Sequence, residues 1–174
     1  DAFLSDKVDE SFTAKRKALS KELGWDFLSQ LENALLPITT PPQPGLGENW
    51  LYTGRAIAVS MNPLDASWMA VSREDYSGVT YWRVWLKCRK QDGTCGQPVH
   101  TAPWDFNARY TGSQADYQAG GKIDKPLHGY WLDYTEFASR FGWQRLPSYS
   151  NWRSYFPAGQ VNVFVNVEDL SWQD

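Results

Sequence analysis

The sequence predicts an α+β fold, with a mainly antiparallel sheet, packed helices and an N-terminal helical hairpin ahead of them. Three observations predict it. The first 36 residues place apolar side chains at the helical period. From Trp50 onward the pattern changes to strand-like alternation, and no regular strand–helix–strand repeat follows that would build a parallel sheet.

The elements follow in order. Ser5 is placed to cap a helix in which Val8, Phe12, Leu19 and Leu23 share a side and which Gly24 ends. Asp26 is placed to cap a second, with Phe27, Leu28, Leu31 and Leu35 on its apolar side and Pro37 stopping it. Residues 37–48 hold four prolines and read as a stiff linker, since each Pro fixes its own φ and restricts its predecessor. The predicted division is therefore a hairpin over 1–36, a linker over 37–48 and an α+β domain over 49–174. Within that domain, residues 55–60 and 68–72 read as short strands. Residues 79–89 alternate most clearly, with Trp82, Val84, Leu86 and Cys88 on one face and Tyr81, Arg83, Trp85 and Lys87 on the other. Residues 113–119 and 133–141 read as helices, the latter with Tyr134, Phe137 and Phe141 on one side. Residues 161–167 read as a strand whose four valines share a face.

Composition narrows the function. Leu, Ile, Val and Phe supply only 36 of 174 residues, and ten Trp and nine Tyr make up the missing apolar area. The excess of Trp has two readings, core filling or exposed platforms for sugars. Seventeen basic against 20 acidic residues give a net charge of −3, which excludes a broad basic nucleic-acid face. No apolar run reaches the ~18 residues of a membrane span.

Two His and two Cys limit the chemistry further. His100 and His128 sit in no recognisable signature, and the sequence implies no metal or other cofactor. Cys88 and Cys95 flank Asp92-Gly93, a hairpin-turn signal, so the pair fits a local disulfide better than a redox or zinc motif, with two separate buried thiols as the alternative. A disulfide implies an oxidising, extracytoplasmic compartment. Trp104, Asp105 and Arg109 place a carboxylate and a guanidinium among aromatics, either as a loop-holding ion pair or as a site.

Three segments carry a family resemblance. Asn49–Ala58 looks like the Ser-x-His-x-x-Gly-x-Ala-x-Asp pattern, Pro103-Trp104-Asp105-Phe106 is similar to Pro-x-Asp-Phe, and Gln160–Phe164 resembles Glu-x-x-His-Phe. Together they resemble the zinc D-alanyl-D-alanine dipeptidases and carboxypeptidases. In that alignment Leu51 and Ala58 stand at the His and Asp ligands, Val163 at the last His and Gln160 at the catalytic Glu. Leu, Ala and Val offer no lone pair to a metal, and Gln cannot take a proton from bound water. The resemblance therefore implies a peptidase-like scaffold without its chemistry. Residues 103–110 and 142–152 also resemble uncharacterised modules attached to bacterial TolB-type β-propellers, which implies an extracytoplasmic setting.

The function expected is a non-catalytic, extracytoplasmic binding or structural module in a larger protein assembly, contacting a protein partner or the cell wall. On the 79–89 strand, the Tyr81, Arg83 and Trp85 face is the expected contact surface unless the chain itself covers it. The rivals are a cell-wall or glycan hydrolase using Asp105 with a second carboxylate, and a Trp-based carbohydrate-binding module.

Overall fold

The computed structural model describes residue 4, residues 6–34 and residues 50–166. The predicted linker, Ser5, Leu35 and Val167 lie outside the described residues. Helix α1 (Asp6–Leu23) is followed by a 3₁₀ turn at Phe27–Ser29 and strand β1 (Leu31–Asn33). Next come β2 (Ala56–Val59), the short α2 (Asn62–Asp65), β3 (Met69–Tyr76), β4 (Val79–Lys87), β5 (Gln97–Pro98) and β6 (Trp104–Asp105). A 3₁₀ turn at Phe106–Tyr110, α3 (Gln114–Ala119), β7 (Lys122–Ile123), β8 (Tyr130–Asp133), α4 (Tyr134–Ser139), β9 (Gln144–Arg145) and β10 (Val163–Val165) complete the order.

The fold is α+β with antiparallel sheets. One sheet runs β1-β2-β10-β9, a second runs β3-β4-β8-β5, and β6 pairs with β7 alone. Every strand pairing among the described residues is antiparallel. Strands β3 and β4 meet in a two-residue turn at Ser77-Gly78, with φ of +51° and +79°, the geometry that matches the twist of a hairpin.

The predicted helical hairpin does not form among the described residues. Helix α1 is as expected, and Gly24 ends it with φ +87° and an N–H to the Ser20 carbonyl at 3.0 Å. Asp26 caps nothing with its side chain, because Arg16 and Ser20 take its carboxylate. The segment after it makes one 3₁₀ turn and then extends, since Leu31–Asn33 finds an open edge on β2. A short apolar run fits either element, and the available partner edge decides.

One apolar core joins both larger sheets and the helices. Ile57, Val59 and Phe164 reach it from the first sheet, and Val71, Trp82, Val84 and Leu86 from the second. Val8, Leu19 and Leu23 of α1 and Tyr134, Phe137 and Ala138 of α4 cover it. Val161 lies in this core, whereas Val163 and Val165 pack in a separate cluster. The predicted shared face of the valines is thus broken, because Gln160 turns the chain with φ +50° just before the strand.

Cys88 and Cys95 are bonded, with 5.9 Å between their Cα atoms. The predicted simple hairpin around them is not there. Strand β8 lies between β4 and β5, so the loop closed by the disulfide crosses over the end of β8. Asp92 still organises the turn, accepting hydrogen bonds from the Thr94 amide and hydroxyl.

Candidate functional site

Of the positions of the family resemblance, Leu51, Ala58 and Val163 meet at the first sheet, whereas residues 103–106 lie apart from it, with β6 paired to β7. Ala58 and Val163 are direct partners across β2 and β10. By strand alternation Ala58 shares the face of Ala56, which clusters with Trp50, Leu51 and Val165 while Leu146 and Val163 pack against them. Leu51 and Ala58 are buried and Val163 half-buried. Gln160 is turned to structural use, its side-chain amide donating to the Pro147 carbonyl at 3.0 Å. Beside them the Asn162 amide bridges Glu32 of β1 and the Val59 carbonyl. This region is an apolar cluster with satisfied polar neighbours.

The Tyr81, Arg83 and Trp85 face is largely covered by the chain itself. Trp85 is 6% exposed, packs with Ala70, Val99 and Trp131, and donates its indole N–H to Ser72 at 3.1 Å. Arg83 bridges Glu74 of β3 and Asp133 of β8, and Glu74 in turn takes Arg145 of β9, so this ion network ties the second sheet to the first. Burial alone would raise the Glu74 carboxyl, but Arg145, Tyr76 and Arg83 outweigh it and hold the group below its ordinary value. Tyr81 packs on Tyr76 with the Arg145 guanidinium 5.1 Å from its ring. These residues work as a clamp between strands.

Around Asp105 the expected ion pair is not formed. The Asp105 carboxylate caps the following 3₁₀ turn by accepting the Asn107 amide at 2.9 Å. The Arg109 guanidinium stands 5.7 Å from the Tyr110 ring centroid, and its Nε is buried without a hydrogen-bond partner among the described residues. Trp104 is buried and donates to the Gly120 carbonyl, and the Arg73 guanidinium lies 5.3 and 5.1 Å from the ring centroids of Trp104 and Trp152, which meet each other edge to face. Asp105 also lines a cleft of about 400 Å³ with Asp65, Asp124, Lys87, Ser67 and Asn107. Asp124 caps its own turn through the Lys125 amide.

The histidines lie with ring centroids 6.5 Å apart, and both are exposed. Among the described residues no group of three or more His, Cys, Asp or Glu side chains could hold a metal. Sequence reasoning missed Lys15. It lies fully buried on the apolar stripe of α1, three residues after Phe12 and four before Leu19. Its ammonium has no hydrogen-bond partner among the described residues and stands 4.2 Å from the Trp143 ring centroid, with Phe12 and Tyr134 beside it. Its place on the stripe was the legible signal. Burial pushes its pKa well below the ordinary value.

Comparison with protein-family models, with curated proteins and with solved structures gives no match for this chain.

Proposed function

We propose that this chain is a non-catalytic binding or structural module on a peptidase-like scaffold, working outside the cytoplasm as part of a larger assembly. The observation that carries the reading is the convergence at Ala58 and Val163. Two segments more than a hundred residues apart in sequence meet as direct strand partners, with Leu51 in the cluster on the same side. The resemblance requires those positions to converge, and here they converge as alkyl groups. A cluster of that kind excludes water and supplies neither a metal ligand nor a base.

The extracytoplasmic part rests on the Cys88–Cys95 disulfide, because cytosolic reductants keep such pairs open. Among the described residues no helix is long and apolar enough to cross a membrane.

Metal analysis after dialysis, paired with a D-alanyl-D-alanine hydrolysis assay, tests the proposal. Far less than one equivalent of zinc and no hydrolysis are expected. One tightly held equivalent of zinc, or hydrolysis of a glycan that Asp105→Asn abolishes, would overturn it.

A further inference from the structure

The chain has two histidines, His100 and His128, far apart in sequence, and the fold sets them side by side. Strands β5 and β8 pair Gln97 with Trp131 and Pro98 with Tyr130. The same register continues past both strands, because the Val99 amide donates to the Gly129 carbonyl at 3.2 Å and the Leu127 amide to the Thr101 carbonyl at 2.9 Å. His100 and His128 lie between those two bonds, directly opposite each other. That is the non-hydrogen-bonded pair of an antiparallel ladder, in which side chains leave the same face and start closest together. The ring centroids are 6.5 Å apart at an angle of 74°, and both residues are exposed.

The backbone beneath the pair is held from several sides. The Cys88–Cys95 bond ties the approach to β5 to the end of β4. The Gln91 side chain accepts the Tyr130 amide at 2.8 Å and donates to the Tyr130 and Cys88 carbonyls at 2.9 and 2.8 Å. The Trp131 indole N–H donates to the His128 carbonyl at 2.9 Å. Val99, next to His100, is buried with Trp131, Ala70 and Trp85, and Leu127, next to His128, packs against that cluster. Each histidine therefore projects outward from a segment whose neighbouring residue is anchored inward. Neither imidazole has a hydrogen-bond or ion-pair partner among the described residues.

We propose that His100 and His128 together chelate one exchangeable divalent transition-metal ion, copper(II) foremost, with the remaining coordination positions open to water. Each neutral imidazole offers one nitrogen lone pair, and imidazole nitrogen suits copper, nickel and zinc. Metal–nitrogen bonds of ~2.0–2.1 Å bring two adjacent imidazole centroids to about 5 Å. The rings close that gap by rotating about their side-chain torsions, which exposed residues are free to do. Because the strands are already in register, binding orders only two side chains. Copper(II) stands highest among the divalent first-row ions and accepts a square arrangement completed by oxygen ligands such as water. Two protein ligands make a site that exchanges with solution, unlike the three or four of resident zinc. The inference goes beyond the non-catalytic reading and does not rest on it.

Titration of the full 174-residue chain with copper(II) chloride, followed by electron paramagnetic resonance, tests this. The first equivalent is expected to show coupling to two imidazole nitrogens and to leave on dialysis against a chelator. His100→Asn and His128→Asn should each weaken it at least tenfold, and the double variant should weaken it little further, because either change alone already breaks the chelate. Copper held as tightly by the double variant would place the ion elsewhere, and single losses that simply add would show two independent imidazoles. Either result overturns the proposal. Copper should also raise the melting midpoint of the parent and of neither variant. Should a variant fail to fold, the parent decides: copper is expected to protect both histidines from diethyl pyrocarbonate, and equal modification with and without copper overturns the chelate. Zinc retained through dialysis by the double variant would count against the non-catalytic reading and leave the copper result to stand on its own.

Discussion

Lys15 shows how one residue can hold two opposing terms. Its stem lies along the apolar stripe of α1 and its ammonium faces Trp143, Phe12 and Tyr134. The ring faces favour the cation, but the loss of water opposes it and wins, so the pKa is lowered. The Tyr134 hydroxyl is also buried without a hydrogen-bond partner among the described residues, and burial raises its pKa in turn. With the folded pKa of Lys15 below the unfolded value of ~10.4, the unfolded chain binds more protons in the window between them. Stability due to Lys15 therefore rises with pH across that window. Lys15→Met removes the cost of burying the amine, and is expected to stabilise the fold by about 1–3 kcal/mol at neutral pH. Thermal melts from neutral pH to about pH 10 check this: the advantage of the variant should shrink as pH rises. A variant less stable than the parent at every pH would show that the amine contributes favourably.

At the scale of elements, ties between strands account for most of the polar chemistry that looked functional. Arg83 on β4 joins Glu74 of β3 to Asp133 of β8, and Arg145 joins β9 to β3 through Glu74. Asp133 also caps α4 through the Glu136 amide at 2.9 Å. The Cys88–Cys95 bond does comparable work by closing the loop that carries the chain from β4 past β8 to β5. Gly96 follows with φ +61°, and a Cβ there would lie 2.3 Å from the Trp131 carbonyl oxygen, so the crossing admits no larger residue. Mass spectrometry of a non-reduced digest should recover the two cysteine peptides linked. Replacing both cysteines with Ala should cost about 2–3 kcal/mol, the amount a loop this short removes from the unfolded ensemble. Free thiols on oxidised protein would remove both the bond and the main support for an extracytoplasmic setting.

For the whole molecule, the N-terminal segment is structural rather than peripheral to the core. Val8, Leu19, Leu23, Phe27, Leu28 and Ala34 pack with Ile57, Val59, Tyr134 and Phe164, and β1 covers the edge of β2. Uncovering that face exposes apolar surface at roughly 25 cal/mol per Å² and reopens a strand edge to other chains. A chain beginning after residue 34 should therefore lose near-ultraviolet circular dichroism and aggregate, while the full chain unfolds in one transition. Native near-ultraviolet signal from the truncated chain would show that the later residues fold alone.

The sequence by itself determined what depends on near neighbours. The stripe of α1, the alternation of β4 and the Cys88–Cys95 pair were legible, and so was α4 with Phe137 on its buried side, because periods and local loops span only a few residues. It left open whether the tryptophans fill the core or face solvent, and packing buried seven of the nine among the described residues. Tertiary structure alone decided the rest. Residues 31–33 became a strand because β2 offered an edge, and Asp26 lost its capping role to Arg16. Asp105 took the Asn107 amide in place of Arg109, and Trp85 was covered by Val99 and Trp131. Trp25 meets Trp68 where the Lys87 carbonyl accepts the Trp25 indole N–H and the Lys87 amide donates to the Trp68 carbonyl. Each of these outcomes is set by which distant groups compete for one atom or one face, and that competition exists only once the chain is packed.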